Sequence, residues 1–217
     1  MDLSNNALAK GLDQFLSGQF PNLQSLNLAN NNFTGSLPPF GANSTRRGLF
    51  PFFPVLHTFN VAGNNMVGGL EHVFSGVLPS IQVLNLAANS FAGILPAIPA
   101  DVANTLTQLD VSANALTGGL EQFLSGQFPN LQSLNLAANN FAGALPAFGN
   151  ELSLPVLTFF SMADNALTDI ANAATAFVGA TELAVVYVLD RPQNSFLFSF
   201  YITLFFFLTP TETSATI

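Results

Sequence analysis

The side chains that could do chemistry in this chain are few and scattered. It has two histidines, His57 and His72, and no cysteine. Thiolate catalysis, disulfides and cysteine-based metal sites are therefore excluded. No serine lies in a G-x-S-x-G elbow, and neither an H-E-x-x-H motif nor a phosphate-binding loop occurs. The residues thus predict no catalytic site, no metal site and no cofactor, and we do not expect an enzyme.

The histidines and acids favour surface roles instead. His72 stands where two closely similar segments have Gln14 and Gln122, so this position accepts an uncharged amide. The 12 acidic residues are spread along the chain without the spacing of a calcium-binding loop. Charged residues make up only 7% of the 217 residues, and the net charge is −8 with four Lys and Arg. Such a chain cannot neutralise phosphates, so we expect no nucleic-acid partner and no charge-driven binding to anionic lipid.

An internal repeat organises most of the chain. An asparagine follows two alternating apolar residues seven times, at steps of 25, 33, 25, 25, 25 and 26 residues. These asparagines are Asn6, Asn31, Asn64, Asn89, Asn114, Asn139 and Asn165. Counting from each asparagine, apolar residues stand at −5, −3 and +2, and five of the seven repeats have Gly at +4. The alternation predicts one short strand with a buried face in every repeat.

The repeated asparagine is predicted to be structural. It lies where the chain leaves the strand, and its carboxamide can pair with turn backbone that would otherwise be buried and unsatisfied. Stacked repeats would align these side chains in a ladder, beside parallel strands that enclose one continuous core. Phenylalanines recur at fixed repeat positions and are expected to stack in that core: Phe15, Phe20, Phe33, Phe91, Phe123, Phe128 and Phe141.

The repeats resemble a known family. The best copies read LQSLNLANNNFTGSLP (23–38), IQVLNLAANSFAGILP (81–96) and LQSLNLAANNFAGALP (131–146). Over roughly residues 1–170 the pattern L-x-x-L-x-L-x-x-N-x-F-x-G-x-L-P resembles the plant-type leucine-rich repeat. The resemblance implies an α/β solenoid of about seven to eight repeats, curved into a horseshoe. Its parallel sheet would lie on the concave face, with short 3-10, helical or irregular segments on the convex face.

Two segments of the chain are almost the same. Residues 11–35 and 119–143 differ only in the pairs Asp13/Glu121, Asn30/Ala138 and Thr34/Ala142. We interpret them as recent copies of one module of two repeats. Surfaces built from such copies have not been separately adapted to a partner.

The repeat sets the expected domain organisation. We expect a solenoid over residues 1–191, with a loop insertion at about 38–54 and a degenerate last repeat at about 171–191. Residues 192–217 form a Phe-rich apolar tail, whose apolar run is shorter than the roughly 20 residues of a spanning helix. Three interpretations of the tail stay open: part of a membrane anchor, a strand that caps the solenoid, or sequence foreign to the native protein.

The resemblance also implies a binding face, because ligands of this family commonly bind the concave sheet. The exposed strand positions are polar, nearly uncharged and poor in the Trp, Tyr and Arg anchors of binding hot spots. The candidates are Asn27, His57, Asn60, Asn85, Gln108, Asp110, Asn135 and Phe159. A partner of this face would be a flat polar protein, peptide or glycan, whereas the alternative is that these residues only fill a repeat consensus.

Two triplets fit the N-glycosylation sequon, beginning at Asn32 and at Asn43. We expect Asn43, in the inserted loop, to be more accessible than Asn32, which lies beside the asparagine ladder. The start MDLSNNALAKGLDQ shows no signal peptide. Met1 falls inside a repeat, from which we expect a truncated or misassigned start.

Taken together, the resemblance points to a non-catalytic recognition module from the ectodomain of a receptor-like protein or receptor kinase. Such a module would be extracellular or membrane-associated, with membrane contact through the C-terminal region. Two alternatives stay open. One is a free-standing secreted protein resembling the wall-associated inhibitors of pectin-degrading enzymes. The other is a structural or vestigial array without a dedicated ligand. The family's flanking cysteine pairs are absent.

Overall fold

A computed structural model of the chain describes residues 1–12, 16, 20–38, 53–71, 73–74, 78–146, 154–169 and 185–187. These residues form short strands and little helix. The strands are β1 (Ala9–Gly11), β2 (Ser25–Asn27), β3 (Asn32–Gly35), β4 (Thr58–Asn60), β5 (Asn65–Gly68), β6 (Val83–Asn85), β7 (Ser90–Ile94), β8 (Gln108–Asp110), β9 (Ala115–Gly118), β10 (Ser133–Asn135), β11 (Ala142–Ala144), β12 (Phe159–Ser161), β13 (Ala166–Asp169) and β14 (Val185–Tyr187). The helices are α1 (Ala100–Ala103) and α2 (Leu120–Leu124).

The predicted strand is present in every asparagine repeat except the first, and these strands belong to one parallel sheet, called here the first sheet. Its seven strands follow chain order from β2 through β4, β6, β8, β10 and β12 to β14. Equivalent repeat positions pair throughout, as in Leu26 with Phe59 and Leu84 with Leu109. A bridge between Asp2 and Asn27 continues the sheet into the first repeat. The predicted fold, a leucine-rich-repeat solenoid with parallel sheets, is confirmed.

A second parallel sheet was not predicted. It lies within positions +1 to +5 of the repeat and runs β1-β3-β5-β7-β9, with β11 and β13 forming a further parallel pair. Position +3 of one repeat pairs with +1 of the next, as in Thr34 with Asn65. The sequence offers little sign of these strands because they are three to five residues long and most of them contain Gly, which is depleted in strands.

The core lies between the two sheets. The first sheet contributes the residues at −5 and −3, and the second sheet contributes the residue at +2. The +2 residues Phe33, Met66, Phe91, Leu116 and Phe141 are all at most 2% exposed. Two further aromatic pairs stack: Phe20 on Phe53 with centroids 5.4 Å apart, and Phe123 on Phe128 at 5.0 Å. Most of the predicted phenylalanine positions are thus core positions; Phe20 is half-buried, and Phe15 lies outside the described residues.

Several sequence predictions concern residues outside the described part of the chain. They are most of the insertion at 38–54, the tail at 192–217, and the last repeat at 171–191 apart from β14. Asn43, which belongs to the insertion, and His72 also lie outside the described residues. Within the last repeat, Val186 pairs with Phe160 of β12, which is the register that the repeat predicts for it.

One row of residues adopts a left-handed backbone that the sequence did not signal. The residue immediately before each repeated asparagine has φ between 51° and 66° in all seven repeats. The row is Asn5, Asn30, Gly63, Ala88, Ala113, Ala138 and Asp164. Asn, Asp and Gly tolerate this region, whereas alanine is strained there by roughly 1 kcal/mol.

We therefore expect Ala138→Asn, which restores the residue of the sister copy, to stabilise the protein by about 0.5–1 kcal/mol and to raise the melting temperature by about 2 °C. Differential scanning calorimetry measures this. The neighbouring change Ala137→Asn, at a residue without positive φ, serves as the control and should give no gain. A lower melting temperature for Ala138→Asn would show that this row carries no relievable strain.

Candidate functional site

The repeated asparagines form a hydrogen-bonded ladder whose members are buried or half-buried in every repeat but the first. The carboxamide of Asn64 donates toward the carbonyls of Leu28, Val61 and Ala62 at 3.0, 2.9 and 3.3 Å. Its oxygen accepts the backbone N–H of Phe33 at 3.0 Å. Asn31, Asn89, Asn114, Asn139 and Asn165 make the same set of bonds. Each asparagine therefore ties its own turn to the preceding repeat, and its side chain is not available to a ligand.

Asn6 occupies the same position in the first repeat but is exposed. Its carboxamide donates only within its own turn, to Leu3 at 3.1 Å and Ser4 at 3.0 Å. The ladder thus contains one member that lacks the bonds to a preceding repeat.

The predicted concave-face residues at position −4 also have a structural task. The side-chain oxygens of Asn27, Asn60, Asn85 and Asn135 each accept the backbone N–H two residues on, at 3.0 to 3.3 Å. Asp2 and Asp110 make the same bond to Ser4 and Ser112, both at 2.9 Å. These turns occupy one acceptor of each side chain, and the amide N–H groups of the asparagines remain for other contacts.

The centre of the first sheet holds a small polar cluster. Asp110 accepts the Ser112 hydroxyl at 2.6 Å on one oxygen and the Asn135 carboxamide at 3.2 Å on the other. Gln108, on the same strand, is exposed. Among the described residues in the strands of this sheet, Asp110 is the only charged side chain. A ligand that crosses the middle of the sheet would meet the charge of Asp110, and the next carboxylate of this position is Asp2 at the edge of the sheet.

Asp2 is the related acid at the open edge of the sheet. Hydrogen bonds from the Ser4 backbone N–H and the Ser4 hydroxyl lower the pKa of Asp2 below its ordinary value. A carboxyl whose folded-state pKa is lowered favours the folded protein above its unfolded-state pKa, and this contribution is lost as pH falls through the folded-state value.

A groove of about 600 Å³ lies along the edge of the first sheet where the strands begin. We call it the edge groove. Its walls come from four consecutive repeats and consist of Gln82, Asn104, Thr105, Thr107, Asn130, Gln132, Val156 and Thr158. None of these residues was among the predicted binding residues. The sequence showed amides and threonines before the strands, but only stacking shows that they line one concavity.

The remaining predicted residues are dispersed. His57 is half-buried and directly precedes β4, so it lies at the sheet edge rather than in a strand as predicted. Phe159 begins β12 and is half-buried, two strands away from Gln108. Across the described ranges, no three His, Cys, Asp or Glu side chains come together in a group that could hold a metal ion.

Asn32 differs from expectation. It begins β3 with its side chain exposed, and Thr34 of the same sequon is exposed beside it. Position +1 of the repeat is exposed because the one buried residue of this strand is Phe33 at +2. The ladder therefore does not shield Asn32.

Comparison with known proteins supports the fold. The Leucine Rich Repeat family profile matches residues 22–43. No curated protein matches the chain in sequence. The ectodomain of the Arabidopsis receptor kinase HAESA, in complex with an N-terminally extended IDA peptide hormone, is 26% identical with a TM-score of 0.52. That match covers 86% of this chain and 34% of the ectodomain.

Two further solved structures are similar. A plant ice-binding protein is 21% identical with a TM-score of 0.54, over 87% of this chain and 57% of its own. Pollen receptor kinase 3 is 27% identical with a TM-score of 0.44, over 52% of both chains. The chain thus spans about a third to just over half of these structures. In the part of the chain that the structure describes, no helix is long and apolar enough to cross a membrane.

Proposed function

Because the chain is a leucine-rich-repeat protein, we propose that it is a non-catalytic recognition module that binds an extended peptide segment of a partner on the exposed side of the first sheet. The observation that carries this proposal is the central cluster of Gln108, Asp110 and Asn135. The cluster combines the exposed amide of Gln108, the Asn135 carboxamide that donates to Asp110, and the charge of Asp110 itself. Seven parallel strands offer a long platform on both sides of it.

The HAESA ectodomain supports the proposal, because that protein binds a peptide hormone. By extension, this chain would be the recognition part of a receptor-like protein and would act outside the cell or at a membrane. The partner peptide would carry a basic residue, since Asp110 is the only charged residue in the described strands of this sheet and the further carboxylate at the same repeat position, Asp2, is also negative. The rest of the interface would consist of hydrogen bonds to carboxamides and hydroxyls.

The test is selection of peptides from a random display library on the purified full chain, followed by affinity measurements with Asp110→Asn. Asparagine is the residue at this position in four other repeats, where it makes the same turn bond, so the variant should fold normally. We expect selected peptides to contain Lys or Arg and to bind the variant about five- to tenfold more weakly, which corresponds to roughly 1 kcal/mol for a partly exposed charge pair.

A matched control uses the other sheet. Ala92 is exposed on β7, and Ala92→Arg changes that surface without touching the first sheet. Selected peptides should bind this variant unchanged. If peptides are insensitive to Asp110→Asn and lose binding with Ala92→Arg, or if none are enriched, the proposed face is wrong.

We also propose that Asn32 carries an N-glycan when the chain passes through a secretory pathway. Its near-identical counterpart Asn140 has Ala142 where the sequon has Thr34. Secretion of the full chain from eukaryotic cells, followed by glycosidase treatment and peptide mass spectrometry, should therefore show modification of Asn32 and none of Asn140. Ala142→Thr is expected to create a second occupied site, and an unmodified Asn32 in the secreted chain would refute the assignment.

A further inference from the structure

The edge groove lies where one repeat departs from the others. Position −10 is proline in the repeats of Asn31, Asn64, Asn89, Asn139 and Asn165, but it is Asn104 in the repeat of Asn114. Asn104 follows helix α1 and caps it through its backbone N–H. Its carbonyl accepts the carboxamide of Asn130 in the next repeat at 2.7 Å. The groove therefore includes a residue, Asn104, that departs from the repeat consensus.

The polar groups of the groove include both donors and acceptors that are free to bind. The hydroxyls of Thr107 and Thr158 donate to the carbonyls of Gln82 and Gln132 at 3.0 and 2.9 Å, so their oxygens face the groove as acceptors. The carboxamides of Gln82 and Gln132 make no hydrogen bond to any other described residue, and both side chains are exposed. A carboxamide offers two donors and an acceptor. The groove thus presents mixed donor and acceptor groups from one repeat to the next.

The same residues exclude charged and strongly apolar ligands. No lining residue is charged, so a phosphate, carboxylate or ammonium group would be desolvated without a counter-charge. The net charge of −8 further disfavours anions. Among the described residues that line the groove, Val156 is the one aliphatic side chain and none is aromatic. It therefore lacks the anchor pocket that a hydrophobic peptide side chain requires.

We propose that the edge groove is a binding site for a neutral, linear oligosaccharide. Sugar hydroxyls donate and accept at once, which matches alternating carboxamides and threonine oxygens. The groove extends over four repeats, or about 14 Å at the spacing of parallel strands, and so fits a short linear chain. Affinity should be in the millimolar range because no aromatic platform adds stacking energy. The site is separate from the central cluster around Asp110.

Titration of the full chain with cellohexaose, followed by NMR, tests the proposal, with hexagalacturonate as the anionic counterpart. We expect cellohexaose to shift the side-chain amide signals of Gln82 and Gln132, and hexagalacturonate to bind more weakly. Gln132→Ala and Gln82→Ala should each weaken cellohexaose binding about fivefold, as expected for one lost hydrogen bond.

The chain provides a matched control. Gln24 has the same repeat position as Gln132, and residues 20–28 and 128–136 read identically, but Gln24 lies outside the groove. Gln24→Ala should leave binding unchanged, and all three variants should keep the native melting temperature because these side chains are exposed. The proposal is overturned if cellohexaose causes no shift at millimolar concentration, if Gln24→Ala weakens binding as much as Gln132→Ala, or if hexagalacturonate binds more tightly. None of these outcomes bears on peptide binding at Asp110.

Discussion

Asn139→Ala is expected to lower the free energy of unfolding by about 2–4 kcal/mol. The Asn139 side chain is 5% exposed and donates to the carbonyls of Val111, Leu136 and Ala137 at 3.0 to 3.2 Å. Its oxygen accepts the backbone N–H of Leu116 at 3.1 Å. Those carbonyls have second partners, but the N–H of Leu116 would be left buried without an acceptor, which alone costs about 1–3 kcal/mol. Chemical denaturation monitored by circular dichroism measures the loss.

The exposed end of the ladder is the natural control. Asn6→Ala removes two bonds within one solvated turn and should cost at most about 1 kcal/mol. Asn139→Asp tests whether the donated hydrogen bonds matter, because aspartate keeps the size and the acceptor of the side chain but loses the amide donor. At neutral pH this variant should be no more stable than the alanine variant. Equal costs for Asn6→Ala and Asn139→Ala would show that the bonds between repeats contribute nothing.

Phe91→Ala should cost about 3–5 kcal/mol by opening a cavity between the two sheets. Phe91 is fully buried, and the +2 residues of its neighbouring repeats are Met66 and Leu116, which are also fully buried. Large and smaller side chains alternate along this row, from Phe33 through Met66, Phe91 and Leu116 to Phe141. The core is therefore packed with a period of two repeats, and neighbouring side chains cannot expand to fill the space. Thermal and urea denaturation measure the effect.

Two further substitutions at position +2 test how closely the size of these side chains is matched to the core. Phe91→Leu places the side chain found in alternate repeats and should cost about 1–1.5 kcal/mol. Leu116→Phe would insert a third consecutive ring between Phe91 and Phe141 and should destabilise the protein by about 1–3 kcal/mol through overpacking. If Leu116→Phe were neutral, the alternation would reflect the history of the duplication and not a packing requirement.

The hydrogen bonds explain why so regular a polar surface offers few obvious binding groups. The carboxamides of the ladder asparagines bond to backbone groups on both their nitrogen and their oxygen. The side-chain oxygen of each asparagine at −4 accepts a backbone N–H of the turn that follows its strand. What remains for a partner is the set of free amide N–H groups, the cluster around Asp110, and the edge groove. The recognition that we propose therefore depends mainly on Asp110 and on Asn104 of the edge groove, where a repeat departs from the consensus.

The sequence was sufficient to predict the first sheet, the asparagine ladder and most of the core. The alternation around Leu26 and Leu84 predicted the first sheet, and the position of Asn64 after its strand predicted a ladder side chain. Even the weak last strand pairs where the repeat places it, with Val186 beside Phe160. These features follow from local patterns of apolar and polar residues, which a single repeat already contains.

Only the tertiary structure decided the features that arise between repeats. The second sheet was missed because its strands are short and rich in Gly, and their backbone partners lie in other repeats. The left-handed backbone at Ala88, Ala113 and Ala138 could not be read from alanine, which does not favour it. The edge groove depends on Asn104 and Gln132, 28 residues apart (132 − 104). Stacking brings such residues together through hydrogen bonds that no local pattern specifies, so the sequence determined the repeat and its core, and the tertiary structure determined the surfaces available to a partner.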